Sequence, residues 1–372
     1  FMTGNSGLEG VVIGESRISS IIGTQLTYCG YEIDDLAENA EFEEVVYLLW
    51  HDHLPNKEEL KAFRKELYDH AFLTEDAKGF YKTFVDKSVH PMSALRTAVS
   101  LLAHTDEKAE DQSKEATLLK GIRIQAKIPS IVAAIARTRE GKEVIDPNPE
   151  FGYAKNFLYM LNGEEPTDVQ VEAMNTALVL HADHEINAST FAARVIVATL
   201  SDVYSGVTGA IGALKGPLHG GANEKVMAML EEIGTLDNVD SYIQKKFDNK
   251  EKIMGIGHRV YKEGDPRAKY LEDMARRLTE ENGQPELYEM SVRIAKIIEE
   301  EKGLLPNVDF FSASVYHSLG IAHDLFTPIF AVSRASGWIA HIFEQFENNR
   351  LIRPRAEYNG RTNMKYEPIE KR

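Results

Sequence analysis

At 372 residues, 43% of them hydrophobic and 27% charged, the chain has ordinary globular composition and length enough for two domains. A formal charge of −16 argues against a general nucleic-acid or anionic-membrane binder. The single cysteine, Cys29, excludes an internal disulfide and a cysteine-built zinc site, and it favours a cytoplasmic protein.

Met2–Ser6 lacks a basic region leading into an apolar run, so no secretory signal is expected. Gly10–Ile22 is the best strand candidate, a short ribbon in a chain otherwise dominated by helical periodicity. Apolar residues recur on one helical face over 42–50, 58–73, 94–103 and 169–180. The same period runs over 116–137, where Pro129 is expected to break or kink the helix. The segment 104–115 reads as a polar, acidic loop and 146–149 as a turn. The most apolar stretch, 191–214, contains Arg194, Asp202 and three glycines, so it reads as a buried helix rather than a membrane span. Its glycines at 206, 209 and 212 line one helix side, suited to close packing within the core or across a dimer. Further helices are expected over 223–233, 266–282, 288–301 and 327–345. The fold class is therefore mainly α.

Five clusters have the residue types that carry chemistry. His181 and His184 share a helix face, but no third ligand completes a metal site, and a structural pair is the ordinary explanation. His219 stands between Gly216 and Gly220-Gly221, just before a helix whose N-terminus disfavours imidazolium, so a neutral hydrogen-bond donor is expected there. Gly255, Gly257, His258, Arg259, Lys262 and Arg267 form a glycine- and cation-rich loop suited to a phosphate or carboxylate ligand. Asp309 precedes an apolar helix, where capping would keep it ionised; beside aromatic residues it also suits a general base. Arg334 lies in an otherwise apolar helix, a costly place unless an anion pairs with it. From Arg350 to the end, seven Lys/Arg face three Glu, a basic tail by default.

Together, in this order, the clusters resemble the citrate synthase family. The resemblance runs from Leu8-Glu-Gly-Val-Val through Tyr31-Glu-Ile-Asp-Asp-Leu and His90-Pro-Met to Arg353-Pro-Arg-Ala-Glu-Tyr. It implies an all-α homodimer whose larger domain (1–217 and 323–372) meets a smaller one (218–322) that closes over a cleft. It also implies a tricarboxylic acid cycle acyltransferase that joins acetyl-CoA, a co-substrate, to oxaloacetate without a metal or prosthetic cofactor. By motif, Asp309 would be the base, His219 the donor to the thioester oxygen, and His258 the group that polarises the oxaloacetate carbonyl. His184, Arg267 and Arg334 would hold carboxylates, with Arg353 reaching in from the other subunit. Gly255, Gly257, Arg259, Lys262 and Lys302 are the candidates for CoA. The match begins near Leu8, as in the short dimeric members without an N-terminal β-rich extension, and insensitivity to NADH is expected with it.

The nearest alternative is 2-methylcitrate synthase, which places propionyl-CoA in the same fold. Acyl choice would rest on about one methylene, worth ~1–3 kcal/mol. A metal-dependent hydrolase using His181, Asp183 and His184 lacks a further ligand. A non-catalytic helical scaffold leaves the coincidence of His219, His258 and Asp309 unexplained.

Overall fold

The computed structural model describes residues 7–372; the segment read for a secretory signal, 1–6, lies outside them. Only the end of the expected strand segment is regular. Strands β1 (Ser19–Ile22), β2 (Gln25–Tyr28) and β3 (Tyr31–Glu32) form an antiparallel ribbon, with Ser19 opposite Tyr28 and Ile22 opposite Gln25. The remaining described residues are mainly helical.

Helices α1 (Ile33–Asn39), α2 (Phe42–His51), α3 (Lys57–Asp69), α4 (Glu75–Phe84) and α5 (Pro91–Leu101) follow. α2 shows why such segments are helical. Phe42, Val45, Val46, Leu48 and Leu49 bury one stripe, Glu41 and Glu44 form a capping box, and Asp52 at φ 62° ends the helix. Asn56 with Glu59 does the same for α3.

α6 (Lys114–Arg139) runs through Pro129 as one helix, so the break, one of the two expected outcomes, does not occur. Proline removes the N–H that would bond the carbonyl of Gln125. Tyr153, on α7 (Tyr153–Asn162), donates its hydroxyl to that carbonyl at 2.6 Å and so satisfies the acceptor.

After α8 (Asp168–His181), the apolar stretch is two helices rather than one: α9 (Ala188–Val197) and α10 (Val203–Leu214). Leu200 at φ 68° turns the chain between them, and Asp202 caps α10 by accepting from Ser205 N at 3.0 Å. Gly206 faces Val197 and Ile342, Gly209 faces Ile196, and Gly212 is open, so two of the three glycines serve packing within this chain. Buried Arg194 is held by His341, Gln345 and Glu344. No helix among the described residues is long and apolar enough to cross a membrane.

Then come α11 (Ala222–Ile233), α12 (Val239–Asp248), α13 (Ala268–Glu281), α14 (Pro285–Lys302), α15 (Val308–Ser318) and α16 (Phe326–Glu347). Helices α11, α13, α14 and α15 pack on one another. α16 is buried on all sides for most of its length, against α2, α6, α8, α9 and α10. Gly337 lets α16 approach the chain after α8. A Cβ there would lie 2.4 Å from both Ala182 O and Asp183 Oδ1. That approach sets Arg334, one turn earlier, beside His181 and His184.

Candidate active site

His184 follows α8, His219 lies between α10 and α11, His258 and Arg267 lie before α13, Asp309 is in the first turn of α15, and Arg334 is within α16. Aromatic rings link them. Tyr261 packs against His184 (5.4 Å between centroids) and His258 (4.6 Å), and those two imidazoles are 5.5 Å apart. The Arg267 guanidinium lies 5.9 Å from the Tyr261 ring. Phe330 packs 6.1 Å from His219 and 4.5 Å from the Arg334 guanidinium.

The loops carrying His258 and Asp309 are zipped together. Ile256 and Pro306 form an antiparallel bridge; Gly257 N donates to Leu305 O (2.8 Å), and Asn307 N donates to Gly255 O (2.9 Å). Asn307 Nδ2 adds a bond to Gly257 O (2.8 Å). Gly255, at φ 82°, needs both its positive φ and its missing side chain, because a Cβ would meet Val226 at 2.8 Å and Phe310 Cα at 3.0 Å.

The cap of α15 is Asn307, whose Oδ1 accepts from Asp309 N at 2.9 Å. Asp309 is therefore not the N-cap that its position suggested, and its carboxyl is not held ionised by capping. Burial raises it to about 6, with Arg267 and Arg334 pulling the other way.

Each histidine is kept neutral. Burial, then Arg334, lowers His219 to about 4. Burial, then Arg267, lowers His258, and burial with Arg267 and Arg334 takes His184 well below its usual range. Val260 N and Tyr261 N both donate to His258 Nδ1, at 3.0 and 3.2 Å, so neutral His258 carries its proton on Nε2. His184 Nε2 pairs with the Tyr261 hydroxyl at 2.8 Å. His219 Nε2 lies 2.7 Å from Ser189 Oγ, a hydroxyl that accepts from Trp338 Nε1 at 3.0 Å and has Asn187 Oδ1 at 2.8 Å; with the hydroxyl proton on Nε2, neutral His219 carries its own proton on Nδ1.

The two arginines differ. Arg267 is forked on Asp265 by Nε and Nη2, both at 2.9 Å, and Asp265 also accepts from Val308 N at 3.1 Å. Against the penalty of burial, Asp265 holds Arg267 above its ordinary value. Arg334, 2% exposed, donates Nε to His181 O at 2.7 Å, and no carboxylate among the described residues forms an ion pair with it. Burial pushes Arg334 down to about 10, with Asp183 partly offsetting it and Arg267 adding repulsion. A buried guanidinium with no ion-pair partner has donors left to receive an anion.

Of the other candidates, Gly255 and Gly257 lie in the paired loops and Lys262 borders His258, while Arg259, Lys302 and Arg353 make no contact with the cluster among the described residues. Arg353 is exposed on the irregular C-terminal segment. Arg259 is exposed, Lys262 Nζ donates to His258 O at 3.4 Å, and Lys302 lies 4.9 Å over Phe247. His181, Asp183 and His184 make no metal site: His181 turns to Ala177 O and Asp183 to His341 and Ser19. Tyr261, Phe330, Asp265, Ser189 and Asn307 are site residues that the sequence reading did not assign. Only Asn307 carried a local signal, since asparagine before an apolar run is itself a good N-cap.

The chain resembles known proteins along nearly its whole length. The family described as "Citrate synthase, C-terminal domain" matches residues 7–355. The chain is 61% identical to "Citrate synthase 2" of Bacillus subtilis (strain 168) over 371 residues, covering 100% of each. It is 41% identical to "2-methylcitrate synthase 1" of Corynebacterium glutamicum, covering 98% of each. Among solved structures, citrate synthase from Pyrobaculum aerophilum superposes with a TM-score of 0.92 at 39% identity, covering 98% of this chain and 94% of that one. The citrate synthase of the archaeon Thermoplasma acidophilum, in ternary complex with carboxymethyl coenzyme A and oxaloacetate, also gives 0.92, at 35% identity and 98% coverage of each.

Proposed function

We infer that this chain, which belongs to the citrate synthase family, condenses acetyl-CoA with oxaloacetate and releases citrate and CoA. The observation that carries the reading is a carboxyl raised to about 6, Asp309, in the field of Arg267 and Arg334, together with histidines lowered by burial and a buried arginine that forms no ion pair. Asp309 removes a methyl proton from acetyl-CoA while His219 donates to the thioester oxygen. The resulting carbon attacks the oxaloacetate keto carbon. His258, with Nε2–H directed at that carbonyl oxygen, donates to it and protonates the alkoxide. Hydrolysis of citryl-CoA completes the reaction. Each preorganised donor contributes roughly 3–4 kcal/mol to the transition state.

His184, Arg334 and the Nη1 side of Arg267 hold the oxaloacetate carboxylates. Arg353 reaches them from a second copy of the chain, so the working unit is a homodimer. Residues 218–322 close against 1–217 and 323–372, with Gly255, Gly257, Arg259, Lys262 and Lys302 on the CoA side. The proton transfers fall to side chains, so the reaction as written needs no cofactor, and one cysteine in 372 residues suits the cytoplasm.

CoA thiol release with oxaloacetate tests the reaction. A higher kcat/KM is expected for acetyl-CoA than for propionyl-CoA; the reverse order would reassign the chain to 2-methylcitrate synthesis, and no release with either would refute the reading. Subunit sharing has its own test. R353A and D309N should each be nearly inactive, whereas remixed dimers regain about a quarter of wild-type activity, because one site of each hybrid is intact. No recovery on remixing would place Arg353 outside the neighbour's site.

A further inference from the structure

Away from the catalytic cluster, Glu231, His317 and His323 bring one oxygen and two nitrogens within 4.8 Å of one another. Glu231 is in the last turn of α11, His317 in the last turn of α15, and His323 opens the 3-10 turn His323–Leu325 that leads into α16. His317 Nδ1 is 3.3 Å from His323 Nε2, and the same His323 nitrogen is 3.3 Å from Glu231 Oε1. These spacings are long for hydrogen bonds. They equal the edge of a tetrahedron built on zinc bonds to nitrogen and oxygen, ~3.3–3.4 Å.

The backbone holds the two imidazoles at this separation. Gly320 N donates to His317 O (3.0 Å), Ile321 N to Tyr316 O (3.2 Å) and Leu325 N to Ala322 O (3.0 Å). The neighbouring acid, Asp324, is committed to Arg139 through two bonds of 2.6 and 2.7 Å, so it is not a fourth ligand. Water or an external ligand is left to complete the shell. Glu231 is exposed and both histidines are half-buried, which gives an ion access from solvent.

We propose that Glu231, His317 and His323 form a binding site for a divalent transition metal of the zinc class, clamping together the far ends of α11 and α15 and the start of α16. Those helices carry Asp309 and Arg334, and His219 immediately precedes α11, so the clamp fixes the frame of the site without touching substrate. It takes no part in the condensation.

The test is calorimetric titration of the chelator-treated full chain with zinc chloride, and with cobalt chloride followed by visible absorption. Wild type is expected to take up one more equivalent per chain than H317N/H323N, to show a tetrahedral cobalt spectrum that the double variant lacks, and to rise in thermal midpoint with zinc. E231Q alters only an exposed side chain and should weaken binding at least about tenfold. Equal uptake by wild type and the double variant would overturn the site, as would E231Q binding like wild type.

Discussion

Replacing Asp309 with asparagine should stabilise the ligand-free protein at neutral pH while abolishing most of its turnover. Burial raises this carboxyl from 3.8 to about 6. A difference of about 2 in pKa corresponds to about 3 kcal/mol between the two protonation states. The folded value is the higher one, so the folded chain binds the proton more tightly than the unfolded chain does. Stability from this group is fully present below the unfolded pKa and is lost as pH rises through the folded one. Asparagine cannot ionise and escapes that loss. Relative to wild type, D309N should therefore gain nothing below pH ~4, then gain progressively until the advantage reaches about 3 kcal/mol above pH ~7. Any constant cost of burying the amide shifts the whole curve without changing its shape. Denaturation of both proteins at one fixed concentration across this range measures the difference, and CoA release measures the loss of turnover. Wild-type kcat/KM should fall about tenfold per pH unit below about 6 as the base protonates. Parallel stability profiles for the two proteins would refute the reasoning, because Asp309 would then not be ionising against the cost of burial.

Ser189→Ala removes the partner of His219 Nε2 and leaves the Trp338 indole N–H unpaired; kcat should fall ~10–100-fold with little change in KM for oxaloacetate, and unchanged kcat would show that the serine does not set the imidazole proton. Gly337→Ala places a methyl 2.4 Å from Ala182 O and Asp183 Oδ1. The overpacking should cost ~1–3 kcal/mol, read as a lower thermal midpoint, and should raise KM for oxaloacetate as Arg334 and His184 separate. Tyr153→Phe deprives the Gln125 carbonyl of the donor that Pro129 withholds, costing ~1–3 kcal/mol in thermal denaturation with kcat unaltered.

Helices were legible wherever the stabilising groups are close in sequence. The stripe of α2, with its capping box, declares itself within ten residues. The continuity of α6 did not, because the hydroxyl that compensates Pro129 belongs to Tyr153, 24 positions away in the chain and on another helix. The same division holds in the site. His219 and His258 are conspicuous because glycines flank them, and Asp309 because it opens an apolar helix. Yet Asp309 reads as the cap from its position, and only the hydrogen bond from its N–H to Asn307 Oδ1 gives that role to Asn307. Phe330 was out of reach for a different reason. It lies one turn before Arg334 on a helix buried on all sides, where an aromatic residue reads as core.

A chain of net charge −16 must hold a doubly negative substrate against its own field. In the proposed pose Arg334 meets that need with a buried cation that forms no ion pair with a described carboxylate, Asp183 and Asp309 acting on it only at longer range. The same charge helps keep His184 and His219 neutral, and it lowers Asp309 together with Arg267. Oxaloacetate, in the proposed pose, cancels the arginine field. The downward pull on Asp309 is then removed while its burial deepens, so the carboxylate becomes a stronger base once the keto acid is in place. The donors gain as well: His219 and His258 are neutral beforehand, and their N–H groups need not exchange a proton with solvent before charge develops on the two carbonyl oxygens. In that pose the arginines that bind the electrophile also govern the basicity of the group that makes the nucleophile, and charge and burial together couple proton abstraction to occupancy.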